Sequence, residues 1–419
     1  MASTGLTRVG DARRSGFDRG RRDLLKVLAG GLFVGAPLRH AFGAGEPRHV
    51  EIAVVGAGLF GASAAMHLAA DGARSVLLVG PSEIVGGTSA AQQLASHYDE
   101  SRNATAMDAD LVWAELARSS VEPLRALEKR SGLEILHEIG SLRVTQARLA
   151  KGYFNLDGIR ETAAKLAVPL VELDSSALRA RYPEARFDPE SLGLLQERGA
   201  GLLRPRRLVT ALRRVAVEDG ATWIDEEVTR VEPQAEFVEL ILGSGTRVRA
   251  QRVLMATGAA PIGHALLDSK PDRSVVVAAH RPTHVEVPED FETTLPPTMI
   301  TNSEGDEFFG GFVAPPVRYR DGRRYLKVVG QTLSPSSGAQ VPDQVEGAVR
   351  ALKRLFPSLE PGAVRSQFCM TADSGSGRPI IDWVEPRIAV AIAGNGKGAK
   401  AALEIGRRAA SWVASSRRA

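Results

Sequence analysis

The chain has 419 residues, 44% of them apolar and 24% charged, the balance of a globular protein with a core large enough for two domains or one composite domain. Its formal charge of +4 is uneven: residues 1–44 carry +5 and the remainder −1, so the basic balance is no argument for a nucleic-acid partner. The single cysteine, Cys369, excludes an intramolecular disulfide.

Residues 1–44 read as a twin-arginine export signal. A polar, basic stretch ends in GRRDLLK, with Arg21 and Arg22 adjacent. A mildly apolar run at 27–38 and the small-residue stretch AFGAG at 41–45 follow. The run is shorter than the about 20 residues a bilayer span needs, so no stable membrane insertion is expected. Asp11, Asp18 and Asp23 argue against a mitochondrial transit peptide. The expected location is periplasmic or secreted, with the bacterial twin-arginine export machinery as a partner.

The apolar, β-branched run at 51–55 predicts a buried strand, the Ala-rich stretch up to Gly72 a helix, and 75–79 a second strand. This is a complete βαβ opening. A long amphipathic helix is expected over 108–131, a strand at 141–145, and helices at 159–167 and 175–182. Residues 208–219 read as a helix ending at Gly220, and 222–225 as a strand. Residues 236–242 and 247–250 read as a hairpin across GSG, and 252–256 as a strand running into Thr257-Gly258. The stretch 274–331 is strand-rich with Pro breaks, and 344–356 reads as a helix. A buried strand at 388–393, the loop GNGKG and a helix over 399–413 close the chain. The expected fold is α/β, or an α+β composite. A Rossmann-like dinucleotide domain (45–140, 198–270 and 368–419) is threaded by a strand-rich substrate domain (141–197 and 271–367).

GAGLFG sits where a dinucleotide fingerprint must sit, after a strand and opening a helix. Gly56 permits the tight turn, Gly58 lets backbone approach a pyrophosphate, and Gly61 allows close helix–strand packing. The phosphates would rest on free N–H groups at the helix N-terminus. One element departs: the second strand of such a unit usually ends on a carboxylate for the ribose hydroxyls, and here it ends on Gly80. Ser82 or Glu83 is the expected substitute. GNGKG is no P-loop, since no Ser or Thr follows Lys397 and the upstream glycine spacing is wrong. No metal site stands out, because His280 and His284 flank Pro282 and cannot share a helical face.

Five landmarks fall in one order: VVGAGLFG (54–61), GGTSAAQQ (86–93), VLMATGAAP (253–261), RYLKVVGQ (324–331), and FCMTADSGSGRPIID (368–382) with AIAGNGKGAKAALEIG (391–406). With them the chain from 45 onward resembles the D-amino-acid-oxidase superfamily of FAD enzymes, most closely its monomeric sarcosine oxidase branch. The resemblance implies FAD held by Gly56, Gly58, Gly61, Thr88, Ser89, Val228, Gly258, Gly394, Gly396, Lys397 and Gly398. It implies a covalent bond from Cys369 to the flavin 8α-methyl carbon, which would consume a thiol otherwise at risk in an oxidising compartment. It implies that Lys327 activates O2 and that Lys400 grips a substrate carboxylate.

Two departures point to a rewritten pocket. The family's second carboxylate-gripping group is an Arg after the GTS loop. Here that region holds Ser96, His97 and Tyr98, with Arg102 further on. The family's active-site His, four residues after the lysine, is Gln331. His97 and Gln331 therefore join Lys327 and Lys400 as candidate catalytic residues. The expected function is oxidation of a C–N bond in a small amine or amino-acid derivative by hydride transfer to flavin, with O2 or a respiratory acceptor. The alternatives are a dehydrogenase of the same fold feeding a quinone or cytochrome, and a non-catalytic flavin-binding maturation protein.

Overall fold

Arg48–Val55 forms the middle of a first sheet because it is apolar on both faces. Ile52 and Val54 point into the cluster beneath the helices, and Ala53 and Val55 into the cluster on the opposite side. The computed structural model describes residues 48–72, 74–83, 95–146, 150, 154–260, 263, 274–301, 310–330, 345–367 and 369–415.

Val76–Val79 pairs in parallel on one side of Arg48–Val55, with Thr222–Ile224 parallel beyond it. Arg247–Met255 pairs in parallel on the other side. Its first half is also the second arm of a hairpin with Val238–Leu242, with Leu240 opposite Val248. Its second half runs parallel to Ile388–Ile392, so the end of the chain enters the sheet beside its middle. Helices Leu59–Ala70, Pro205–Glu218 and Gly398–Ala414 cover one face. The helix expected at 208–219 begins earlier because Pro205 occupies its first turn, where a missing N–H costs nothing.

The second sheet runs in the order Val364–Ser366, Thr283–Glu286, Arg324–Val329, Gly310–Arg318, Thr298–Thr301, Ser141–Gln146, Ser191–Gln196, Val171–Leu173. A separate two-stranded ribbon pairs Val275–His280 with Cys369–Ser374, with His280 opposite Cys369. The long helix Leu111–Ser131 is capped by Asp110, whose carboxylate accepts from the Val112 N–H at 2.8 Å. It ends on Gly132 in the left-handed conformation, φ 68°. Among the described residues, no helix is long and apolar enough to cross a membrane.

Candidate active site

The glycine loop is fixed by contact as well as by backbone angle. Gly56 has φ +105°, and a Cβ there would lie 2.3 Å from the Ala256 carbonyl oxygen. A Cβ on Gly61 would lie 1.8 Å from the Gly56 oxygen. Gly58 caps helix Leu59–Ala70 without a side-chain acceptor, and the first turn holds no acid. Its N–H groups and dipole are left for an anion.

The ribose end is built differently. A Cβ on Gly80 would lie 2.4 Å from the Ala57 nitrogen, so this position cannot carry a carboxylate. Arg213 occupies that end: its Nε donates to the Ala57 carbonyl at 2.6 Å, and its guanidinium lies 4.8 Å from the Trp223 ring centroid. Burial lowers Arg213 to about 10. Ser82 and Glu83 are both engaged. Ser82 Oγ donates to Asp225 at 2.7 Å, and Glu83 meets Arg206 at 2.6 Å and Arg320 at 3.0 Å. His97 lies against the loop, its Cε1 3.4 Å from where a Gly58 Cβ would be. Burial, reinforced by Arg213, Arg206 and Arg102, lowers it to about 3, so it is neutral at physiological pH.

Asp99 organises a second cluster. Its buried carboxylate accepts from Lys327 Nζ at 2.6 Å, from the Tyr319 hydroxyl at 2.7 Å and from Arg102. His284, fully buried, stands 3.6 Å away. Lys327 Nζ also donates to the Ser101 carbonyl at 2.8 Å. Burial and Arg102 lower Lys327 to about 8, against the pull of Asp99. For Asp99, burial opposes the charged form, but Lys327 and Arg102 outweigh it and hold the carboxyl well below its usual range. Arg102 reaches on to Cys369, its Nη2 3.3 Å from Sγ. Strand alternation puts Cys369, Thr371 and Asp373 on one face. His280 contacts the Thr371 hydroxyl at 3.0 Å and is lowered to about 4 by burial, Arg102 and Lys327.

The turn before the last helix is held in the left-handed region at Ala393 (φ 68°), Asn395 (φ 48°) and Gly396 (φ 67°). Asn395 holds it there: its N–H donates to Ala372 O at 3.1 Å and its side-chain oxygen accepts from Ser374 N at 2.9 Å. Phe60 packs beneath Gly394 and Gly398, joining this turn to the glycine-loop helix. Lys397 and Lys400 meet at one carboxylate, Asp108, with Nζ–Oδ2 distances of 2.8 and 3.3 Å.

The structure thus brings Lys327 and Cys369 together around Asp99, and Lys397 and Lys400 around Asp108. His97 lies at the nucleotide loop, its backbone carbonyl accepting from the Asp99 N–H at 2.8 Å. Gly258 has φ +59° in the turn after Arg247–Met255, and Val228 is buried in the apolar cluster of the first sheet. Thr88, Ser89 and Gln331 lie outside the described residues. Asp99, Asp108 and Arg213 were not singled out from sequence. The only local signal for the two acids was that Asp99 lies within the region that departs from the family pattern, between Tyr98 and Arg102, and Asp108 soon after it.

Residues 51–412 match the model of the DAO family, FAD dependent oxidoreductase. The chain belongs to this family. It is 26% identical to a monomeric sarcosine oxidase from Streptomyces avermitilis over 216 residues, covering 50% of this chain and 52% of the relative. It is 30% identical over 215 residues to a 4-methylaminobutanoate oxidase (formaldehyde-forming) from Paenarthrobacter nicotinovorans, covering 51% of this chain and 25% of that one. The matches therefore span about half and a quarter of those relatives. NikD, an amino acid oxidase of nikkomycin biosynthesis, shares the fold at TM-score 0.72 and 19% identity, covering 89% of this chain and 96% of its own.

The family is one of FAD-dependent oxidoreductases. The residues of this chain fit FAD at the pyrophosphate, through the glycine loop, and at the flavin, through the turn at 393–398. Two buried oxygens without partners, Thr257 Oγ1 and Asp373 Oδ1, border these positions and have bonds left to make. The ribose end fits less well, since its acids are engaged and Arg213 stands where a carboxylate is usual. Among the described residues no group of acids, His or Cys is placed to hold a metal.

Proposed function

We propose that the protein is an exported oxidase of a C–N bond in an amine or amino-acid derivative, with O2 as acceptor and FAD bonded to Cys369. FAD supplies acceptance of a hydride from the carbon next to nitrogen. The observation that carries the reading is the cluster around Asp99. One carboxylate meets two cations there, leaving a net positive charge in a water-poor site beside Cys369. Such a charge stabilises the anion that forms as O2 is reduced. The Arg102 guanidinium lies 3.3 Å from Sγ, which joins Cys369 to this charged cluster. The two named relatives are themselves oxidases, which supports the choice of reaction.

The test is made on the purified protein. Acid precipitation should leave yellow colour in the pellet, and Cys369→Ala should move it to the supernatant. Amines should bleach the flavin under nitrogen, and O2 should restore it. One observation favours a second reading, a dehydrogenase: Asp99 and the Ser101 carbonyl already occupy two N–H groups of Lys327. Reoxidation by a quinone but not by O2 would decide for it.

A further inference from the structure

We propose that Asp108 sets the substrate class of this site. By holding Lys397 and Lys400 in place it draws both lysines away from a substrate carboxylate, so the preferred substrate is an amine whose reacting carbon carries no free carboxylate. The inference rests on the amine-oxidising reading above.

Gripping an amino-acid carboxylate takes positive groups free to reach it. Among the described residues, the four cations that meet Asp99 and Asp108 are already engaged. Arg102 is bound by Asp99 and by the carbonyls of Ser96 and Ser101, and its remaining reach goes to Cys369. Lys327 is held by Asp99 and the Ser101 carbonyl. Lys400 Nζ lies 3.3 Å from Asp108 Oδ2, with only 5% of its side chain exposed. Its stem lines a small apolar cavity of about 20 Å³ with Ala104, Ala117, Leu124, Leu203 and Leu403, not a polar pocket. Lys397 bridges both Asp108 oxygens, at 2.9 Å to Oδ1 and 2.8 Å to Oδ2.

Asp108 is itself fixed. Its side chain is 3% exposed, and Oδ1 also accepts from the Asp110 N–H at 3.1 Å. Its backbone carbonyl takes the Thr162 hydroxyl at 2.6 Å. Drawing a lysine across to a substrate carboxylate would take from a buried carboxylate one of its two cationic partners, which is unfavourable. Burial opposes ionisation of Asp108, but Lys400 and Lys397 outweigh it and keep the carboxyl charged. The region after the GTS loop adds no replacement, since Ser96, His97 and Tyr98 bring no charge at neutral pH.

The experiment uses the FAD-loaded enzyme and two ligands that have no hydrogen on the carbon next to nitrogen. These are tert-butylamine and 2-aminoisobutyrate, which differ by a methyl group against a carboxylate. Binding is followed by calorimetry and by flavin absorbance. The wild type should bind tert-butylamine at least about tenfold more tightly. Asp108→Asn should reduce that ratio about tenfold or invert it, whereas Asp108→Glu should keep it. Equal or tighter wild-type binding of 2-aminoisobutyrate overturns the proposal, as does failure of both ligands to bind. That wild-type arm decides even if Asp108→Asn does not fold. An unchanged ratio in folded Asp108→Asn also overturns it. Isopropylamine and alanine are then offered as substrates. If neither bleaches the flavin, the amine-oxidising reading fails separately, while the binding ratio still reports the selectivity.

Discussion

Lys327 is where a single charge matters most. Held at about 8 by burial and Arg102, it is cationic at neutral pH and loses its proton as pH rises through that value. If its charge promotes reduction of O2, flavin reoxidation should fall as pH rises through about 8. Asp99→Asn removes the main group that favours the protonated lysine. The fall should then move to lower pH, and a restored carboxylate in Asp99→Glu should bring it back. Stopped-flow reoxidation of reduced enzyme across pH 6–10 measures this, and a profile unmoved by Asp99→Asn removes Asp99 from the mechanism. Lys327 was named from the family resemblance, but its partners were not legible. Lys327 and Ser101 are 226 positions apart, Lys400 and Asp108 292, and Arg213 and Ala57 156. Sequence periodicity carries information over a few turns and none over such distances. The glycine loop was legible because its chemistry is local, and the absence of a carboxylate at Gly80 was legible for the same reason. Its cause, the 2.4 Å approach to Ala57, was not.

Among the elements, those specified by short-range signals matched their expected positions. The helix expected over 108–131 begins only at Leu111, because Asp110 spends its side chain on the Val112 N–H and stops the helix there. That places Asp108 outside the helix, free to turn toward Lys397 and Lys400. Asp110 also meets Arg378 at 3.1 Å. Asp110→Ala should cost about 1 kcal/mol through the lost cap, with little from the exposed ion pair. Denaturant unfolding should read that loss, and Asp110→Asn, which keeps a capping oxygen, should recover most of it. Equal losses in the two variants would assign the effect to the ion pair instead.

At the scale of the whole molecule, the first sheet cannot close until the last part of the chain arrives. Arg247–Met255 is flanked in parallel by the first strand and by Ile388–Ile392. Helix Gly398–Ala414 then packs so closely on Leu59–Ala70 that a Cβ on Gly406 would lie 2.1 Å from Ser63 Oγ. Cys369, the glycine loop and the 393–398 turn come from the two ends of the described chain, so cofactor loading requires a folded protein. Pairings this distant form slowly, after the loop-closure entropy of the chain between them has been overcome. A route that threads an unfolded chain through a membrane would carry it across before FAD could bind. A route for folded proteins would carry it across loaded, which is why the adjacent Arg21 and Arg22 fit the proposed export. Replacing both by lysine keeps the charge of the leader and removes only the paired arginines. FAD-loaded precursor should then accumulate in the cytoplasmic fraction and vanish from the periplasm, with the soluble enzyme otherwise unchanged in colour. Export at the wild-type level by the double-lysine protein would refute the twin-arginine route and leave the folding argument without its destination.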